Sequence, residues 1–210
     1  MLFLSFAAMK IICIGRNYGK HILELGNERP DKPVIFMKPD SAILQKKQPF
    51  FIPQFTSNVH YEAEVIVRIN RLGKSIPSKF ASKYYDQISL GIDFTARDLQ
   101  EELKSKGLPW ERAKAFDGSA VIGNWLDKDP FDLQNLNFNL HKNGDVVQVG
   151  NTSDMLWQID ELIEETSKYF TLKIGDIIFT GTPAGVGKVE IDDVLKGTLE
   201  GQEVFSLRVK

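Results

Sequence analysis

The sequence is short of cysteine, of net charge and of long apolar runs. Its 210 residues include one cysteine, Cys13, so no disulfide can form within the chain. The formal net charge is -2 at pH 7, without the basic excess of a nucleic-acid-binding surface. No apolar stretch approaches the roughly 20 residues that cross a bilayer. These shortages argue against a disulfide-stapled domain, a nucleic-acid partner and a membrane span, and we expect a cytoplasmic enzyme or binding protein.

What the chain contains is ordinary for a globular protein. Hydrophobic residues make up 42% and charged residues 26%, enough for one domain with a substantial core, and we expect a single domain over residues 1–210. Residues 1–8 are apolar but short and lack a basic flank, which disfavours a signal peptide. Because Met9 offers a second start, residues 1–9 are also a candidate N-terminal extension.

A strand with two carboxylates is the first candidate for chemistry. Residues 60–69 are apolar and β-branched, without glycine or proline, which predicts a strand. Alternation along it puts Glu62 and Glu64 on one face, together with His60. At about 4 Å and an effective dielectric near 20, two carboxylates repel by roughly 4 kcal/mol. Mg²⁺ or Mn²⁺, which prefer oxygen ligands, would offset this repulsion, and so would a solvated sheet face.

A third carboxylate stands before a predicted helix. Asp93 lies near the end of an apolar strand predicted at residues 88–94, and a helix is predicted at residues 96–106. Asp93 can serve a site or simply favour the helix N-terminus electrostatically. Arg97 and Gln100 share a helix face, which can bind a substrate carboxylate and carbonyl or lie in solvent.

Two further patterns allow both a functional and a plain interpretation. His21 and Glu24 are three apart in a short helix predicted at residues 21–25, the spacing of a general base held by a carboxylate or of an exposed pair. Residues 180–188 contain Thr182 in a glycine-rich run that lacks the phosphate-loop and dinucleotide patterns. This run can present backbone N–H groups and Thr182 to an anion, or form a surface turn.

The remaining pattern predicts many strands and few helices. Further strands are expected at residues 10–14, 34–38, 116–122, 137–141, 146–149, 177–180 and 203–209, and further helices near 78–85 and 155–169.

Six short motifs, in order along the chain, resemble one enzyme family. They are IGRNY at 14–18, FMKP at 36–39, YEAE at 61–64, DFTARDLQ at 93–100, KAFD at 114–117 and TGTPAGVG at 180–187. Together they resemble the fumarylacetoacetate hydrolase family, in particular its small acylpyruvase and oxaloacetate decarboxylase branch. The resemblance implies an α+β, strand-rich fold, a mixed β-sandwich roll with a few peripheral helices, in a homodimer.

The resemblance also implies a role for each candidate residue. Metal ligands for Mg²⁺ or Mn²⁺ are implied at Glu62, Glu64 and Asp93, for which the sequence shows no other evident counter-charge. The implied substrate-binding residues are Arg16, Arg97, Gln100 and Thr182, and the implied catalytic residues are His21, Glu24 and Lys114.

The implied reaction is cleavage of a small 2-oxo acid through a pyruvate enolate that the metal stabilises. Lys114 would add positive charge at the developing oxyanion. His21 with Glu24, on a lid, would activate water for acylpyruvate hydrolysis, whereas oxaloacetate decarboxylation needs no water attack. Two alternatives stay open: a hydratase or isomerase of 2-oxo-dienoic acids, and a metal-dependent binding protein without turnover.

Overall fold

The computed structural model describes residues 9–26 and 28–210. The signal-peptide question and nearly all of the candidate extension concern residues 1–8, which lie outside the described residues. The strands are β1 (Lys10–Gly15), β2 (Val34–Pro39), β3 (Val59–Tyr61), β4 (Ala63–Ile69), β5 (Tyr85–Asp93), β6 (Thr95–Ala96), β7 (Ala120–Ile122), β8 (Leu126–Asp127), β9 (Asn137–Lys142), β10 (Asp145–Asn151), β11 (Ile177–Phe179), β12 (Gly187–Lys188), β13 (Val194–Leu199) and β14 (Gln202–Arg208). The helices are α1 (Gly19–Glu24), α2 (Ser78–Ala81), α3 (Arg97–Ser105), α4 (Glu111–Lys114) and α5 (Ile159–Tyr169).

Three sheets organise these strands. The largest has the order β2-β1-β11-β4-β5-β7, with β8 also paired to β5. Among the strand pairs that the described residues form in this sheet, only β1–β11 is parallel. A four-stranded sheet has the order β10-β9-β13-β14, and a three-stranded sheet has the order β12-β3-β6. The expected strand-rich α+β fold with few helices is confirmed.

The core lies between these sheets and under α5. The middle of β1, from Ile11 to Ile14, is buried, as expected for a continuous apolar run inside a sheet. Cys13 is part of it, and its thiol is buried. Phe50 stacks on Phe94 with ring centroids 3.9 Å apart, so the residue after Asp93 is fixed by packing.

The prediction of one continuous strand at residues 60–69 is wrong. It breaks at Glu62 into β3 and β4, which belong to different sheets. The amide of Ala63 donates to the Gln148 side chain (2.9 Å) instead of a neighbouring strand, which accounts for the break. His60 consequently belongs to β3, where its ring contacts the Asn58 side chain, and not to the face that carries Glu64.

Other boundaries shift because side chains hold the backbone extended. The predicted helix at 155–169 begins only at Ile159, where the Gln158 amide donates to the Glu161 side chain (2.7 Å). Leu156 and Trp157 before it donate their amides to Asn17, which prevents an earlier start. Helix α4 and strand β13 were not predicted: α4 has a single turn, and β13 is interrupted by a lysine and a glycine.

Among the helices of the described ranges, none has the length and apolar character needed to span a bilayer.

Asn17 joins three parts of the fold through one buried side chain. Its amide nitrogen donates to the carbonyls of Thr180 (2.8 Å) and Trp157 (3.0 Å), and its side-chain oxygen accepts from the Trp157 amide (2.9 Å). The side chain has no solvent exposure, so water cannot replace these bonds.

We expect Asn17→Leu to lower the free energy of unfolding by about 3 kcal/mol, because it strands buried backbone partners. Urea unfolding of the two proteins measures this difference. Asn70→Leu, an exposed control, should change it by less than about 0.5 kcal/mol. Equal stability of Asn17→Leu and wild type would contradict the anchoring role.

Candidate active site

Three buried carboxylates meet where adjacent strands end. Glu64 lies on β4, Glu62 at the break before it, and Asp93 closes β5, which pairs with β4. The Asp93 amide donates to the Glu62 carbonyl at 2.8 Å, so the two side chains leave neighbouring backbone positions. One carboxylate oxygen of each residue lies within 4.8 Å of the others. The three carboxylates that the sequence predicted as a site therefore lie together in the structure.

Basic side chains contact two of these carboxylates. Lys114 Nζ lies 2.8 Å from both Glu62 Oε2 and Asp93 Oδ2, and Arg97 pairs with Glu62 Oε1. The expectation that the carboxylates have no other counter-charge is therefore wrong. Burial raises the pKa of Glu62, but Lys114 and Arg97 outweigh it and hold that pKa well below its ordinary value. Burial opposes the charged form of Lys114, but Asp93 and Glu62 raise its pKa above the ordinary value.

Lys38 is a buried site residue that the sequence reasoning did not single out. Its Nζ lies 2.7 Å from Asp93 Oδ1 and donates to Ser119 Oγ (3.0 Å) and to the Lys114 carbonyl. The available signal was a lysine inside an apolar strand, within the FMKP motif. A buried ammonium needs an anionic partner, and Asp93 is that partner.

Of the three clustered carboxylates, Glu64 is the one without a cationic partner among the described residues. Its Oε2 accepts the Gly181 amide at 2.6 Å, and no described ion pair includes it. Burial, then the charges of Asp93 and Glu62, raises the pKa of Glu64 well above its ordinary value. Asp93 Oδ1 also meets no donor at hydrogen-bonding angles, although Lys38 is near. A dense oxygen set with such unsatisfied capacity fits a hard divalent cation.

The glycine-rich loop is held against β4. At Gly181, φ is +100° and a Cβ would come within 2.7 Å of the Asn17 Cβ, so the position admits only glycine. The Thr182 hydroxyl donates to the Ala63 carbonyl (2.9 Å) and accepts from Gln148 Nε2 (2.9 Å). Its hydroxyl proton is thereby committed within the protein, and substrate binding by Thr182 stays a prediction. Gln148 was not anticipated, because a lone glutamine in a strand carries no sequence signal.

His21 and Glu24 are in contact on α1. His21 Nδ1 lies 3.1 Å from Glu24 Oε2, while Glu24 Oε1 accepts the Gly185 amide at 3.0 Å. A carboxylate can only accept, so Nδ1 carries the proton and Nε2 offers a lone pair in the neutral ring. Glu24 therefore both orients the imidazole and ties α1 to the glycine-rich loop.

A cavity of about 40 Å³ joins these groups. At about 10–15 Å³ per water, this volume corresponds to about three or four water molecules. Of the ten residues predicted from the sequence, nine line it, and Glu24 stands behind His21; the lining ones are Arg16, His21, Glu62, Glu64, Asp93, Arg97, Gln100, Lys114 and Thr182. His60 is not among the lining residues.

Arg97 is more engaged than the sequence suggested. Its Nη1 donates to Gln100 Oε1 (2.5 Å) and its Nη2 to Glu62 Oε1, which leaves only Nε without a partner among the described residues. A free bidentate fork for substrate is therefore not what the structure shows. Arg16 lies at the end of β1 with φ +59°, an unusual conformation for a non-glycine residue that is often found at functional sites.

Comparison with known proteins relates the chain to one family. Residues 10–208 match the family model described as fumarylacetoacetate (FAA) hydrolase C-terminal. Oxaloacetate tautomerase YcgM of Escherichia coli K12 is 39% identical over 203 residues, covering 96% of this chain and 93% of that protein. Fumarylpyruvate hydrolase from Pseudomonas aeruginosa, solved with Mn²⁺ and pyruvate, has a TM-score of 0.89 at 33% identity, covering 95% of this chain and 88% of that one. A 5-carboxymethyl-2-hydroxymuconate delta-isomerase from Mycobacterium smegmatis has a TM-score of 0.85 at 37% identity, with coverage of 96% and 78%.

Proposed function

The chain belongs to the fumarylacetoacetate hydrolase family, and we propose that it is a metal-dependent enzyme that transfers a proton at C3 of a small 2-oxo acid. Its reaction is the keto–enol tautomerisation of oxaloacetate. The observation that carries this proposal is one small cavity that holds both the buried carboxylate cluster and the His21–Glu24 pair.

The cation would be Mg²⁺ or Mn²⁺, held by Glu62, Glu64 and Asp93. When bound, it supplies Lewis-acid polarisation of the 2-oxo group, which makes the C3 protons more acidic. The Mn²⁺ in the Pseudomonas hydrolase supports this choice of metal class.

The proton transfer itself falls to His21. With Nδ1 bound to Glu24, Nε2 takes a C3 proton from the keto form to leave the enolate, and Glu24 stabilises the imidazolium. The enolate oxygen gains a proton from solvent to give the enol, the imidazolium returns its proton to solvent, and the reverse steps regenerate the keto form. Lys114 places its ammonium beside Glu62 and Asp93, where it offsets negative charge that grows on the 2-oxo oxygen. The Glu24–Gly185 bond ties α1 to the glycine-rich loop and so holds His21 beside the cavity.

Hydrolytic C–C cleavage of an acylpyruvate is the second candidate. The similarity to fumarylpyruvate hydrolase favours it, and the same pair could activate a water. Tautomerisation is preferred because the Escherichia coli relative is 39% identical over 96% of this chain, whereas the Pseudomonas hydrolase is 33% identical. Decarboxylation of oxaloacetate, isomerisation of 2-oxo-dienoic acids and binding without turnover are the remaining possibilities. A single domain, a homodimer and a cytoplasmic location also stay predictions.

A substrate panel separates these reactions. Oxaloacetate, acetylpyruvate and fumarylpyruvate, each with Mg²⁺ or Mn²⁺, are followed by proton NMR. Tautomerisation changes the enol-to-keto signals of oxaloacetate faster than metal alone and leaves the carbon skeleton intact. Early release of pyruvate from oxaloacetate indicates decarboxylation, and release of the acid fragment from an acylpyruvate indicates hydrolysis. No effect on any of these substrates would refute the proposed function.

A further inference from the structure

We propose that Lys104, together with Arg16, binds the remote carboxylate of the substrate and makes the site selective for dicarboxylic 2-oxo acids. This inference rests on the proposed function, since it assigns the substrate class of the same cavity. Lys104 belongs to no motif that the sequence reasoning used, but it lines the cavity.

The helix that carries Lys104 already contributes two site residues. Arg97, Gln100 and Lys104 are spaced i, i+3 and i+7 on α3, which places them along one face. Arg97 and Gln100 are buried at the inner end of this face, and Lys104 is exposed. The face therefore runs from the carboxylate cluster to solvent, and Lys104 marks its outer end.

The charges of the cavity favour a second negative group at that end. At the inner end, Glu62 and Asp93 are paired with Lys38, Arg97 and Lys114, and Glu64 accepts the Gly181 amide.

Arg16 and Lys104 are additional cations of the cavity lining. Partial burial lowers the pKa of Lys104, and so do the nearby charges of Arg16 and Arg97. Glu101 raises that pKa. An anion between Arg16 and Lys104 would relieve this repulsion, and a divalent cation further inside would increase the preference for a dianion.

A pair of unreactive ligands isolates this contact. N-oxalylglycine and N-methyloxamate share the chelating oxalyl group and differ in the remote carboxylate, which only the first carries. Their binding to Mn²⁺-loaded protein is measured by titration calorimetry for wild type, Lys104→Met and Lys104→Arg. Lys106→Met is the matched control, because Lys106 follows the same helix and pairs with Glu102 outside the cavity.

We expect wild type to bind N-oxalylglycine at least about tenfold more tightly than N-methyloxamate. The difference is the usual contribution of a hydrogen bond between charged groups, here at the remote carboxylate. Lys104→Met should lose about tenfold for N-oxalylglycine and keep its affinity for N-methyloxamate, whereas Lys104→Arg and Lys106→Met should preserve the preference.

Unchanged binding of N-oxalylglycine by Lys104→Met, or equal losses for both ligands, would overturn the inference and leave the proposed function standing. Failure of wild type to bind either ligand would instead contradict the proposed function.

Discussion

Glu64→Gln is expected to remove the metal-dependent activity while leaving the fold intact. The amide keeps the size of the side chain and an oxygen that can accept the Gly181 amide, but it removes the charge of the one clustered carboxylate that has no cationic partner among the described residues. We expect divalent-cation affinity to fall by at least about tenfold, since even outer contacts of metal ligands contribute that much, and turnover at low metal to fall further. Mn²⁺ titration by calorimetry and initial rates measure both effects.

The same substitution has a distinctive effect on stability. The pKa of Glu64 is raised above its ordinary value near 4.5. Folded metal-free protein therefore holds this proton more tightly than the unfolded chain, and its free energy of unfolding falls as pH rises from that value toward the raised pKa. Glu64→Gln lacks this titration and should be at least as stable as wild type at pH 7 without metal.

Added metal reverses the order. Saturating Mn²⁺ should raise the melting temperature of wild type, because it binds only the folded state, and should raise that of Glu64→Gln by less, because its affinity is lower. Glu203→Gln, an exposed change on β14, is the control and should behave as wild type in all three measurements. Normal metal affinity in Glu64→Gln would remove Glu64 from the metal site.

His21→Ala is expected to lower the rate of oxaloacetate tautomerisation by about 10²–10⁴, the usual contribution of a general acid–base group. Glu24→Gln should follow with a smaller loss, because it weakens the orientation of His21 and its bond to Gly185 without removing the imidazole. Stopped-flow absorbance of the enol measures these rates on protein of verified metal content.

The other two histidines provide matched controls. His60 lies on β3 and contacts Asn58, and His141 lies on β9. Neither histidine lines the cavity. His60→Ala and His141→Ala should retain rates within a few-fold of wild type. If His21→Ala also retained its rate, His21 would have no part in the proton transfer. If His21→Ala lost acylpyruvate hydrolysis but kept tautomerisation, the His21–Glu24 pair would activate water instead.

The sequence was most informative where residues repeat a local pattern. The carboxylates Glu62, Glu64 and Asp93 and the three-residue spacing of His21 and Glu24 identified positions that the structure brings to one cavity. The family resemblance added Arg16 and Lys114, whose isolated positions have no periodic signal.

What the sequence could not show depends on contacts between distant residues. The break at Glu62 arises from Gln148, which lies 85 positions beyond Ala63. The negative charge of Asp93 is offset by Lys38, which lies on another strand. No local propensity encodes such pairs, so the carboxylates looked unopposed. The late start of α5 has the same origin in Asn17, 140 positions before Trp157.

The central claim is metal-dependent proton transfer at C3, and deuterium exchange tests it most directly. Wild-type protein, stripped of metal or reloaded with Mg²⁺, is mixed with oxaloacetate in D₂O, and loss of the C3 proton signal is timed against the same solution without protein. We predict that reloaded protein accelerates the exchange well beyond the protein-free solution at equal Mg²⁺, and that stripped protein does not. Equal acceleration by stripped protein, or none by reloaded protein, would contradict the account.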